Sequence, residues 1–154
     1  MPSTSNIAGA LEAIEARLAA NWNTTQVAYD NKLPPVQPWP PIVDTKPVPW
    51  VFCEIIDADA DIVGFGKPGD QTVLDYGIIK LSVMVPKGSG LTTAREHATA
   101  LGEIFRQQQF YKTDPTAYVR SMTPAVGRGD LISDDGNWVC GAACRIPFEF
   151  YHRA

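Results

Sequence analysis

The run Gly64-Phe65-Gly66-Lys67-Pro68-Gly69 matches the GxGxxG pattern letter for letter. In a dinucleotide site such glycines join a strand to a helix whose N-terminus faces the pyrophosphate. Here Pro68 and a second strand-like run follow, so the context predicts no nucleotide site. No Gly-Lys-Ser/Thr closes the run, so it is not a P-loop either. Asp57, Asp59 and Asp61 resemble the start of a calcium loop. That loop needs glycine at its sixth position and glutamate at its twelfth, where this chain has Ile62 and Pro68. The alternating aspartates instead predict a solvated negative edge that discourages strand aggregation. His97 and His152 have no HExxH or paired-ligand spacing, and His97 is expected at the surface of a helix. Gly88-Ser89-Gly90 lacks the GxSxG form of a nucleophile elbow. Cys53, Cys140 and Cys144 lie in apolar runs without CxxC spacing. An odd number without framework spacing predicts reduced, buried thiols in a cytosolic protein. No nucleophile, base and oxyanion site assembles from these residues. The expectation is therefore no enzyme, no cofactor and no metal. An enzyme remains open only if polar residues from separate loops meet in a pocket.

The elements that must position these residues are clearer than the chemistry. A chain of 154 residues is expected to form one domain, 1–154, with a real core. Hydrophobic content of 45% and charged content of 19% are ordinary for a globular protein. The formal charge of -4 argues against a general nucleic-acid binder, which needs a basic surface to displace counterions. No apolar run approaches the roughly 20 residues that cross a membrane. The N-terminus lacks a basic segment followed by an apolar one, so no secretion signal is expected.

Ile79, Leu81, Val83 and Val85 alternate with Lys80 and Ser82, which predicts a strand with one buried and one wetter face. Pro86-Lys87-Gly88-Ser89-Gly90 stops it. A helix is predicted from Thr93, with the Thr93 hydroxyl and Glu96 as a capping box. Ala94, Ala98, Leu101 and Phe105 form its apolar stripe, with Ile104 beside it. An earlier helix, capped by Ser5 or Asn6, carries the stripe Ile7, Leu11, Ile14, Leu18 and Trp22. Gln26 to Tyr29 reads as a short strand. Trp50 to Ile56 is a strong strand, and residues 50 to 85 are expected to form one long antiparallel hairpin. Its tip, 57–70, carries Asp57, Asp59, Asp61 and Asp70 against the single Lys67. Tyr111 to Pro115 is expected to be a loop and Ala117 to Met122 a strand. Val126 to Ile132 and Asn137 to Phe150 predict another hairpin around Asp134-Asp135-Gly136. Along its last strand Trp138, Cys140, Ala142, Cys144, Ile146, Phe148 and Phe150 alternate onto one face. Pro147 predicts a sheet edge or a bend. Together these elements predict an α+β fold, a mainly antiparallel sheet with two main helices packed on one side.

Residues 33–49 hold seven prolines: Pro34, Pro35, Pro38, Pro40, Pro41, Pro47 and Pro49. Neither a helix nor a central strand tolerates that density, so an extended, partly polyproline-like surface arm is expected. Pro35-Val36-Gln37-Pro38 and Pro38-Trp39-Pro40-Pro41 fit the loose PxxP form, so the segment is also a candidate ligand for a proline-recognition domain. The plainer reading is a stiff arm whose Trp39 packs on its own domain or on a neighbour. Pro38, Trp39, Pro40 and Pro41 are the candidate inter-subunit contact.

The whole pattern resembles the tail terminator (minor tail protein U-like) proteins of long-tailed bacteriophages and prophages. The resemblance is carried by the amphipathic first helix, Val27-Ala28-Tyr29-Asp30-Asn31, and the proline-rich stretch before Trp50. It continues through the strand, Pro86-Lys87-Gly88-Ser89-Gly90 and helix, to Trp138 and the strand ending Pro147-Phe148-Glu149-Phe150. It spans most of residues 7–151 and rests on order and length. It implies a non-enzymatic ring protein, usually a hexamer, that caps the head-proximal end of the tail tube and stops its polymerisation. The ring would present the surface to which the filled head attaches. Its partners would be the tail tube protein and a head-closure or connector protein. DNA would pass through without sequence-specific binding, and no membrane would be involved. Its place would be the tail-neck region of the virion, after assembly in the host cytoplasm. A head-closure or neck connector protein is the nearest rival, followed by a soluble adaptor that binds through residues 33–49. The acidic hairpin, Asp57, Asp59, Asp61, Lys67 and Asp70, is the candidate channel or ring contact.

Overall fold

The computed structural model describes residues 6–64, 66–114, 117–129 and 136–153. The fold is α+β, with two helices and a curled, mostly antiparallel sheet. Helix α1, Ile7–Asn21, starts where the Asn6 side chain accepts a hydrogen bond from the Gly9 amide at 2.8 Å. Its buried face is Ala10, Ile14 and Leu18, with Ile7, Leu11 and Trp22 packed beside them. Full burial of an isoleucine or leucine contributes about 1.5–3 kcal/mol, enough to hold a helix whose termini supply little. Strand β1, Gln26–Tyr29, follows, and then the ribbon formed by β2, Ile42–Val43, and β3, Lys46–Pro47. The long strands β4, Trp50–Ile62, and β5, Thr72–Pro86, pair antiparallel from Trp50↔Met84 to Ile62↔Val73. A one-residue bulge lies between Asp57 and Asp59.

Helix α2, Thr92–Phe105, buries Ala94, Ala98, Leu101 and Phe105, and also Gly102. The predicted capping box does not form. The helix begins before Thr93, its N-cap is Leu91, and no side chain caps it. Strands β6, Gln109–Asp114, β7, Ala117–Ser121, β8, Ala125–Gly127, and β9, Trp138–Arg153, complete the chain. The sheet order is β1-β4-β5-β9-β7-β6, with β8 beside β9 and β1 parallel to β4. Residues 111–114, expected as a loop, are strand. Tyr111 takes φ +57°, and the pairing with β7 is irregular there, which explains why no alternation marks it. Strand β8 is shorter than the predicted 126–132, of which residues 130–132 lie outside the described residues, as do Asp134 and Asp135 of the predicted turn.

Both helices lie against one face of the sheet, whose core joins Ile79, Leu81, Val83 and Val85 to Cys144, Ile146, Phe148 and Phe150. Helix α1 bridges the two terminal strands of the curl. On one flank Glu15 meets β1, where its carbonyl accepts from the Tyr29 hydroxyl at 3.5 Å. The Glu15 carboxylate also pairs with Lys32 at 2.6 Å. On the other flank Arg17 lies over the Phe110 ring of β6 and donates to the Ile104 carbonyl at 2.9 Å. Arg17 is thus a packing residue, not a solvated one.

Among the described residues no helix covers the reverse face, and a bulge decides what it carries. Val83 pairs with Ala142 but Met84 pairs with Cys140, so Gly141 is an extra residue in β9. Every side chain before it changes face. Trp138 and Cys140, predicted to share a face with Ala142 to Phe150, lie instead on the reverse side with Trp50, Met84 and Ala143. Ser82, expected to be wet, is fully buried there. Pro147 lies at neither edge of the sheet, since β5 and β7 flank β9. Its register falls between the residues paired with β8, which end at Arg145, and those paired with β7, which begin at Phe148. Its carbonyl accepts from the Met122 amide at 2.8 Å on that side. The missing proline N–H therefore points into the gap between β7 and β8, where no ladder bond is lost.

Candidate assembly surfaces

The residues 33–49 wrap one end of the sheet. Trp39 packs edge-on against Trp50 with ring centroids 5.0 Å apart, and Trp50 against Trp138 at 6.1 Å. The three indoles form a row over Met84 and Cys140 on the helix-free face, which fixes this part of the segment to its own domain. Pro41 is buried, while Pro38 is exposed. The Gln37–Pro38 and Trp39–Pro40 peptides are cis. Beyond them the chain makes the β2–β3 ribbon, in which Asp44 and Thr45 take φ +51° and +63°. Two successive positive φ angles are the tight-turn geometry that matches strand twist. A groove of about 490 Å³ runs between this segment and the α1–β1 connection, lined among others by Thr25, Gln37, Ile42, Val48 and His97. His97 stacks edge-on to Trp22 at 5.6 Å, so it is half-buried where the helix pattern predicted a surface position.

The acidic residues occupy the far end of the β4–β5 pair. Asp59 and Asp61 are exposed and stand opposite Tyr76 and Leu74. The Asp59 carboxylate accepts from the Ala60 amide at 2.8 Å. Desolvation, then the charges of Asp59 and Asp61, hold the Tyr76 phenol above its ordinary value. Asp57 pairs with Gly77 through the backbone, just before the bulge. Lys67 is exposed in the connection, and its carbonyl accepts from the Asp70 amide at 2.9 Å. Arg153, at the end of β9, reaches Asp70 at 3.3 Å and ties the connection to the sheet. The GxGxxG run is followed by β5, so no helix N-terminus faces it. The structure thus keeps the acidic residues and the proline segment at separate places.

All three cysteines are buried thiols outside any disulfide. Burial pushes the Cys53 thiol up to about 12, with Glu15 and Glu54 adding to it. Burial likewise pushes Cys144 up to about 11. Neither is a thiolate near neutral pH. His152 pairs with Asp75 at 2.6 Å and lies flat on Phe150 at 4.7 Å. Asp75 thus orients the His152 ring. No group of three or more His, Cys, Asp or Glu among the described residues is placed to hold a metal ion. Among them too, no helix is long and apolar enough to cross a membrane.

Sequence reasoning missed one surface. Ile56, Ile78 and Pro147 stand side by side on β4, β5 and β9 of the helix-free face. Ile56 is 48% and Ile78 36% exposed. The row Glu54, Lys80 and Arg145 flanks them on one side, and Asp59, Tyr76 and Glu149 on the other. Only the register, set by the bulges, brings these residues together. No protein-family model matches the chain, and no curated protein sequence matches it.

Proposed function

We propose that the chain is a non-enzymatic structural subunit of a hexameric phage tail terminator ring. What supports this reading is the order of the elements: α1, β1, the proline-rich residues 33–49, the antiparallel pair β4 and β5, α2, and the closing strand β9. That order is the one on which the resemblance rests. In this reading the ring caps the head-proximal end of the tail tube in the virion, stops its growth, and offers the surface to which the head attaches. A subunit for such a ring needs a stiff body and exposed apolar elements for its neighbours, and the buried core with the exposed Ile42 and Val43 of the ribbon suits that need. An interface built from one arm and loops is modest in area, so free subunits stay largely monomeric and the tube end templates the ring.

The test is the length of tails made by phage lacking the gene. The expected result is tails of irregular, extended length that fail to join heads. Normal, uniform tails that still join heads overturn the terminator reading. Tails of normal length that fail to join heads point to a neck connector instead. The adaptor reading draws less support, because Trp39 of the PxxP run faces its own sheet.

A further inference from the structure

We propose that the β2–β3 ribbon of one subunit seats on the helix-free sheet face of a second copy, over Ile56, Ile78 and Pro147. The inference rests on the ring reading in taking the occupant to be another copy of this chain. Strands of two residues do not stabilise a ribbon by themselves. Yet the ribbon presents Ile42 at 51% and Val43 at 57% exposure. Branched apolar side chains left half exposed on so small an element cost solvation until something covers them. The apolar row on the sheet has the same need. It is contiguous over three hydrogen-bonded strands and rimmed by charge, the character of an interaction site.

The two surfaces match in size and in charge. Neighbouring strands lie about 4.8 Å apart, so the row from β4 to β9 is about 10 Å wide, enough to receive a two-stranded ribbon. The ribbon carries Asp44 and Lys46, one charge of each sign. The row is flanked by Glu54, Lys80 and Arg145, one net positive charge, on one side and by Asp59, Tyr76 and Glu149, two net negative charges, on the other. The turn between β2 and β3 is already formed, so docking orders little new backbone. Ribbon and face are different parts of the chain, so the contact is head-to-tail. Such a contact propagates from copy to copy and closes into a ring when the rotation allows. The native cysteines are buried, which leaves the surface open to cysteine trapping.

The experiment uses the full chain at millimolar concentration under mild oxidation, with Val43→Cys and Ile78→Cys made separately and together. A mixture of the two single variants should give a disulfide-linked dimer at least about tenfold more abundant than either alone. The double variant should give a ladder of linked species. Ile56→Cys serves in place of Ile78→Cys if that variant loses its native circular dichroism. No linkage in the mixture overturns the proposal. So does linkage of Ile78→Cys with itself at the mixture's level, which means face-to-face packing, or of Val43→Cys with itself. These outcomes concern the contact in solution. Tail length in the gene-deleted phage tests the ring reading separately.

Discussion

At the scale of single residues, two buried features make opposite predictions about stability. Ser82 is fully buried on β5, and its hydroxyl has no hydrogen-bond partner among the described residues. An unsatisfied buried hydroxyl costs about 1–3 kcal/mol, while alanine at the same site leaves a void of one small atom. Ser82→Ala should therefore stabilise the chain by about 1 kcal/mol, read as a higher urea midpoint with an unchanged slope. A lower midpoint would mean that the hydroxyl has found a partner, such as a buried water. The thiols act through pH. Cys53 is raised from 9.0 to about 12 and Cys144 from 9.0 to about 11, in both cases chiefly by burial. In the unfolded chain both ionise first, so the unfolded state loses protons that the native state keeps. Their contribution is fully present below pH 9 and is lost as pH rises through the folded values. Urea titrations should show a fall in stability from about pH 9 upward that is reduced in Cys53→Ala relative to its own neutral-pH value.

At the scale of elements, the packing of α2 on β9 depends on missing side chains. A Cβ at Gly141 would lie 2.5 Å from the Cβ of Ala94 and 3.1 Å from Val85 Cγ2. Both neighbours are held close to their backbones, so neither can swing away. Gly141→Ala should push α2 off the sheet and cost about 1–3 kcal/mol, as overpacking does. Ala94→Gly in the same chain should return part of that loss, less about 1 kcal/mol for a glycine inside a helix. A double-mutant cycle in urea measures the coupling, and strict additivity would contradict the close approach. Gly141 also marks where the sequence stopped being legible. Alternation in Ile79, Leu81, Val83 and Val85, and the stripes of α1 and α2, are local periodicities that point at the core directly. A bulge has no periodic signature, because it shifts the phase by one residue and the alternation on each side stays intact. Trp138 and Cys140 therefore looked like core neighbours of Cys144 when they belong to the tryptophan row. The same blindness hid the row Ile56, Ile78 and Pro147, which exists only once three strands are in register. The acidic run and the run of prolines stand out because each is contiguous in sequence. Where Trp39 docks was not, since Trp50 and Trp138 reach it through the fold.

At the scale of the whole molecule, the distribution of charge bears on what the proposed ring does with DNA. A channel that carries a duplex must not hold its phosphates. Basic residues on its wall would replace condensed counterions and bind the backbone, whereas acidic residues repel it and let it slide. The net charge of -4 is already unsuited to gripping DNA. Within the chain, Asp57, Asp59, Asp61 and Asp70 gather at 57–70 against the single Lys67, at the end of the β4–β5 pair away from the tryptophan row. Asp59 and Asp61 are exposed there. Arg153 engages Asp70 and so neutralises the base of this segment more than its outer strand. We predict that the acidic hairpin faces the channel or the adjoining tube ring. Replacing Asp57, Asp59 and Asp61 by lysine turns three repulsive positions into attractive ones. The subunit should fold and the tails should be capped, because Asp59 and Asp61 are exposed and no core contact is lost at them. DNA ejection from such particles should be slower than from the parent, and the difference should shrink as salt is raised, since salt weakens phosphate binding steeply. Ejection at the parental rate, with the hairpin ordered on the outer surface of the capped tail, would place these aspartates in solvent and remove the channel role.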